Sequence, residues 1–129
     1  MELLRASASD RALVADAAVL SKAVVRAARL LELTQRDVSA ALGISQATAS
    51  RLYAGKYLLS QDRAKEWELA RLLVRMFRSL DALWGHEESA RLWLGSDNLA
   101  LGARPKDLLR SVEGMVRVVT YLDAARGRL

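Results

Sequence analysis

The chain has 129 residues, just over half of them hydrophobic, and a formal net charge of +5 at pH 7; this is one ordinary domain, or two small modules sharing a core, able to bury that core unaided. It has no cysteine and a single histidine, His86, which excludes disulfides, thiolate nucleophiles and the common zinc ligand sets, so no cofactor or metal is expected. No apolar run approaches the roughly 20 residues of a membrane span, and the start lacks a basic stretch followed by an apolar one, so no membrane partner is expected and the expected location is the cytoplasm.

The basic surplus is mostly arginine. It concentrates between positions 20 and 60, where Lys22, Arg26, Arg29, Arg36, Arg51 and Lys56 face only Glu32 and Asp37. A polyanionic partner fits that distribution. The total alone does not decide, because arginine content also follows genomic base composition.

One proline and abundant Ala, Leu and Arg predict helix almost throughout. Asp10 is expected to cap a first helix running to about residue 20, with the residues before Ala8 frayed. Residues 21–33 make a second helix, with Ala23, Val24, Ala27, Leu30 and Leu31 on one side. Two short helices follow, 35–42 and 46–54, joined by Gly43, Ile44 and Ser45. A long helix over about 62–84 carries two apolar rows, Trp67, Ala70, Val74 and Phe77 beside Leu69, Leu73, Met76, Leu80 and Leu83. Two rows predict two buried faces and a central strut, packed by another module or a second subunit, so a homodimer is expected. Beyond Gly85 the pattern gives a short helix over 87–94, a polar loop over 95–104 and a helix opened by Pro105. The last helix spans about 112–126, with Val112, Met115, Val119 and Leu122 directed inward. The expected fold is all-α, divided into residues 1–60 and 61–129.

Residues 34–55, TQRDVSAALGISQATASRLYAG, fit a helix-turn-helix at nearly every structural position. Thr34 caps the first helix with Asp37 as capping-box partner, and Val38 and Leu42 point into the core. Gly43 makes the turn, Ile44 plugs the gap, Ser45 caps the second helix, and Ala49 and Leu52 bury its inner face. Small Ser39 permits a close crossing. The outer face is left with Gln46, Ala47, Ser50 and Arg51, and with Thr48 near its start, short or forked groups suited to a major groove. Arg51 can pair with guanine or clamp a phosphate, Gln46 can pair with adenine, and Gln35 at a helix N-terminus is placed for a backbone phosphate. Arg36 and Lys56 add non-specific phosphate attraction. The alternative is an αα-hairpin used only for packing.

Residues 33–51 resemble the Xre (Cro/cI-like) family, whose wording is close to L-T-Q-x-x-L-A-x-x-L-G-[IV]-S-x-x-T-[IV]-S-R. The back half resembles the toxin-binding domain shared by the Xre/MbcA/ParS antitoxins. That resemblance rests on Arg78-Ser79-Leu80, Gly85, Trp93-Leu94, Asn98, Leu101-Gly102, Pro105, Leu108-Leu109, Ser111, Glu113-Gly114 and the ending from Tyr121-Leu122-Asp123 to Arg128. It implies a small helical toxin-binding and dimerisation module behind the helix-turn-helix. It also implies a protein that binds the operator DNA of its own operon and neutralises a cognate toxin, commonly of the RES type, which destroys NAD, within a higher toxin–antitoxin complex. The toxin-binding residues so implied are Tyr121, Arg126, Gly127, Arg128 and Leu129, the last four expected to protrude beyond the apolar periodicity and enter the toxin's cleft. Trp93, Leu94, Gly102 and Pro105 are expected to be structural, and Gly114 either eases a close helix contact or meets a partner's backbone. Two alternatives stand beside this: a free-standing Xre-type repressor, and a toxin inhibitor whose helix-turn-helix does not bind DNA. No enzyme is expected, since Asp62, Glu66, Glu68, Glu87 and Glu88 read as helix-start charges and solvated faces.

Overall fold

A computed structural model describes residues 8–85 and 87–127; His86, Arg128, Leu129 and the expected frayed start lie outside the described residues. Among these, the chain runs through α1 (Ala8–Leu30), α2 (Gln35–Leu42), α3 (Gln46–Tyr53), α4 (Ala64–Trp84), α5 (Glu88–Gly95), α6 (Pro105–Leu108) and α7 (Val112–Gly127). The only extended pairing among the described residues is one isolated bridge between Asn98 and Ala103.

The two helices expected before residue 33 are a single helix. Asp10 lies in the first turn of α1 rather than at its cap, and Ser21, read as the start of a second helix, is buried in its interior. No glycine or proline interrupts residues 8–30, so nothing in the backbone favours a break. The Ser21 hydroxyl instead accepts the Leu59 backbone N–H at 3.0 Å, a partner 38 residues away that satisfies both buried groups. α1 ends where Glu32 turns left-handed, with φ 56°, and the Leu33 N–H closes onto the Ala28 carbonyl at 2.8 Å.

α4 is the strut. It packs against α1 and α2 on one side and α7 on the other, burying Leu69, Ala70, Leu73, Val74, Met76 and Leu80. The result is one continuous core, in which Val24, Val38 and Leu52 from the front join Leu94, Met115 and Leu122 from the back. Polar links reinforce the junction, among them an ion pair between Arg91 and Glu32 at 3.6 Å. Arg91 of α5 donates to the Leu30 carbonyl at 3.2 Å, satisfying an end of α1, and Lys106 of α6 lies 3.4 Å from Asp37 of α2.

The segment between α5 and α7 is stitched to itself. The Asn98 side chain accepts the Leu101 N–H at 3.1 Å, Gly102 takes the left-handed φ of 73°, and Arg117 of α7 donates to the Leu101 carbonyl at 2.7 Å. Pro105 and Leu94 are buried. Ser111 accepts the Gly114 N–H at 3.0 Å and so caps α7. Val112, expected to point inward, is 46% exposed at the helix start; the inward row begins with Gly114 and Met115.

Candidate functional site

The helix-turn-helix is built from its caps. Thr34 Oγ1 accepts the Asp37 N–H at 3.0 Å while Asp37 Oδ2 accepts the Thr34 N–H at 2.9 Å, so both orphan donors at the start of α2 are satisfied. Gly43 adopts φ 69° and closes α2 onto the Ser39 carbonyl. The Ser45 hydroxyl accepts the Thr48 N–H at 3.0 Å and starts α3. Val38, Leu42, Ala49 and Leu52 are buried, which fixes the rotation of α3 about its axis and turns its opposite side outward.

That outward side carries Gln46, Ala47, Ser50 and Arg51, all exposed, as are Gln35 and Arg36 at the start of α2 and Lys56 after α3. Thr48 differs from expectation. It is half-buried, and its hydroxyl accepts from Ser45 Oγ at 2.9 Å and from Arg51 Nη2 at 3.1 Å. Thr48 therefore steadies the Arg51 guanidinium, and less side-chain freedom is lost when Arg51 meets a partner. Lys56 is held in turn: Gly55 takes φ 74°, the Lys56 N–H donates to the Arg51 carbonyl at 2.8 Å, and the connector beyond is clamped. In that clamp the Tyr57 hydroxyl donates to Glu66 at 2.6 Å, and Arg63 donates both to Glu66 and to the Leu58 carbonyl.

Burial alone would raise the pKa of Asp37, but the Thr34 backbone N–H, the Thr34 hydroxyl and Lys106 together hold it below the ordinary carboxylate range. A carboxylate depressed in the folded state adds stability that is present above its unfolded pKa and is lost as pH falls through the folded one. Stability should therefore decline below about pH 4. Thr34→Ala is expected to cost about 1 kcal/mol at neutral pH and to flatten that acid decline in urea melts taken between about pH 6 and 3; identical pH profiles would remove the capping box from the account.

At the other end, Trp84, Trp93 and Tyr121 form a stack, with ring centroids 5.5 Å and 5.9 Å apart. Trp84 is 42% exposed and the other two are half-buried. Nothing in their spacing along the chain announces this, because three separate helices supply the rings. Arg126, expected to protrude, lies within α7 and donates to Ser79 Oγ at 3.2 Å. Ser79 is fully buried and donates to Asp123 at 3.4 Å; Asp123 also pairs with Arg75. The helical hydrogen bonding outlasts the apolar periodicity by one turn because these polar groups, 44 and 47 residues apart in sequence, hold it. Gly127 is the exposed last residue of α7. The contacts of Arg128 and Leu129 lie outside the described residues.

Residues 4–75 match the antitoxin Xre-like helix-turn-helix domain, and residues 79–128 match the antitoxin Xre/MbcA/ParS C-terminal toxin-binding domain. The chain belongs to the Xre/MbcA/ParS antitoxin family. No curated protein matches the chain. The two matched segments of the antitoxin meet inside α4, the helix around which both halves pack. Within the second matched segment several residues have internal roles: Asn98, Gly102 and Pro105 shape the loop, Ser111 caps α7, and Ser79 fastens its end. Among the described residues no cluster of His, Asp or Glu could hold a metal ion, and no helix is long and apolar enough to cross a membrane.

Proposed function

We propose that this antitoxin represses its own operon by binding operator DNA through α3, and neutralises a cognate RES-type, NAD-degrading toxin by direct contact through its C-terminal unit. The DNA-reading part is residues 1–60 and the toxin-binding and dimerisation part residues 61–129. The observation that carries the first half is the outward face of α3, where Arg51 is exposed yet steadied by Thr48 between two well-formed caps. Arg51 reads a guanine edge or clamps a phosphate, Gln46 reads an adenine edge, and Ala47 and Ser50 line the contact. Gln35, Arg36 and Lys56 meet phosphates. The double variant Gln46→Ala/Arg51→Ala is expected to lose about thirtyfold or more in affinity for the DNA upstream of its own gene, at about 1–3 kcal/mol for each of two good bidentate pairs. Its affinity for a scrambled duplex should fall far less. Fluorescence anisotropy on both duplexes reads this, and an unaltered preference would sink the assigned face.

For the second half, the C-terminal toxin-binding domain match over residues 79–128 supports toxin contact by this unit, and we assign that contact to Tyr121, Arg126, Gly127, Arg128 and Leu129. A cationic helix end suits a pocket that handles phosphates and ribose. Co-expressed with the adjacent gene product, the wild-type antitoxin is expected to preserve cellular NAD. Arg126→Glu should weaken purified-toxin inhibition roughly tenfold or more, the size of a lost interfacial charge pair. Ser79→Ala, which removes the internal hydroxyl shared by Arg126 and Asp123 but keeps the Arg126 charge, should weaken inhibition far less. Equal inhibition by wild type and Arg126→Glu would take this arginine out of the contact. A homodimer within the larger complex is supported by Leu13, Val14 and Val19, which α1 leaves exposed.

A further inference from the structure

Of the grooves that α1 lines among the described residues, two differ sharply in charge. The one shared with α4 has a rim of mixed sign, with Asp16 and Glu68 among Arg71, Arg75 and Arg78. The one shared with the end of α3 and the connector after it carries Lys22, Arg26 and Arg29 and no carboxylate. Spacings of four and three residues put these cations on one face of α1, and all three are exposed. Neither Lys22 nor Arg26 has an ion-pair partner among the described residues. Arg29 rests over the Tyr53 ring at 5.6 Å. Like charges at this spacing repel and weaken the helix that carries them, a cost that a bound polyanion removes.

The opposite wall of this groove is the C-terminal end of the recognition helix, Leu52 and Tyr53, followed by Gly55, Tyr57 and Leu58, with exposed Lys56 between them. A helix seated in the major groove has a sugar–phosphate strand on each flank. A strand passing the end of α3 would meet Lys22, Arg26 and Arg29 along the α1 wall, where Val25 and, opposite it, Leu58 offer apolar surface to its deoxyribose carbons.

We infer that this groove is a phosphate clamp, in which Lys22, Arg26 and Arg29 hold the DNA strand bordering the bases read by α3 and widen the footprint beyond the helix-turn-helix. The inference rests on the DNA-binding reading above and adds a partner surface to it. Phosphate contacts position a protein without carrying sequence information, so the clamp sets affinity and salt dependence and leaves base preference to α3.

The test is the triple variant Lys22→Ala/Arg26→Ala/Arg29→Ala, its fold checked by circular dichroism melting. It is titrated with a duplex from upstream of its own gene, and with a scrambled duplex of equal length, between about 50 and 200 mM salt. The slope of log affinity against log salt is expected to become shallower by about two to three units. Affinity for both duplexes should fall by about the same factor, at least tenfold, with the preference between them retained. Arg26→Lys/Arg29→Lys, which keeps the charges, should retain the wild-type slope. A triple variant with the wild-type slope, or one that loses only its preference, overturns the clamp while the DNA-binding reading stands. Wild-type protein that binds neither duplex overturns both.

Discussion

Gly114→Ala is expected to destabilise the antitoxin by about 3 kcal/mol, lowering its thermal midpoint by roughly 10 °C. Ordinary helix propensity argues the other way, since alanine in place of an interior helical glycine stabilises by about 1 kcal/mol. The geometry reverses the sign. A Cβ at Gly114 would lie 2.0 Å from the Leu108 carbonyl oxygen and 2.8 Å from its carbon, and backbone cannot swing aside as a flexible side chain can. Nor is α6 free to retreat, because buried Pro105 and Leu109 hold it at both ends. The glycine is there for close approach and not for a special backbone angle, as it takes no positive φ. Gly95→Ala is the matched control, with nothing within 4 Å of its added methyl group, and is expected to be neutral or mildly stabilising. Melts of the two variants followed by circular dichroism decide the matter; a Gly114→Ala protein as stable as wild type would refute the close contact.

Leu73→Ala should cost about 2–5 kcal/mol, the range for truncating a fully buried leucine. Leu73 is wholly inaccessible and sits in the core that joins front and back. The more telling expectation concerns cooperativity. Because α4 packs on α1 and α2 and on α7, urea should unfold the helix-turn-helix and the toxin-binding unit in one transition, in wild type and variant alike. The variant should shift the midpoint and keep the slope. Two separated transitions, one per matched segment, would mean that the halves are stable independently and that the common core contributes little.

The parts of the fold legible in the sequence are those whose causes are local. Thr34 with Asp37, Gly43 and Ser45 act over three or four residues, so cap, turn and cap could be read directly, and the outward face of α3 followed from the buried Ala49 and Leu52. The two apolar rows of α4 gave the strut for the same reason. What the sequence hid depends on partners far along the chain. Ser21 looks like a helix start until Leu59 is found bonded to it, and Arg126 looks like the beginning of a free tail until Ser79 is found beneath it. Gly114 left two explanations open, and only the approach of Leu108 chooses between them. Thr48, placed on the outer face by helical arithmetic, turned out to spend its hydroxyl on Ser45 and Arg51. For the DNA-facing set, periodicity could say which residues look outward but not which of them are held still.

The Trp84–Trp93–Tyr121 stack gives the protein a built-in optical probe. Indoles held 5.5 Å apart couple their electronic transitions, so their near-ultraviolet ellipticity and emission report the separation and tilt of the rings rather than solvent contact alone. The rings come from α4, α5 and α7, and the signal therefore registers how those helices sit together. A toxin that covers Trp84 or displaces Tyr121 would change it at the moment of docking. Stoichiometry, affinity and rate of complex formation could then be followed on unlabelled protein, with no dye placed on the surface under test.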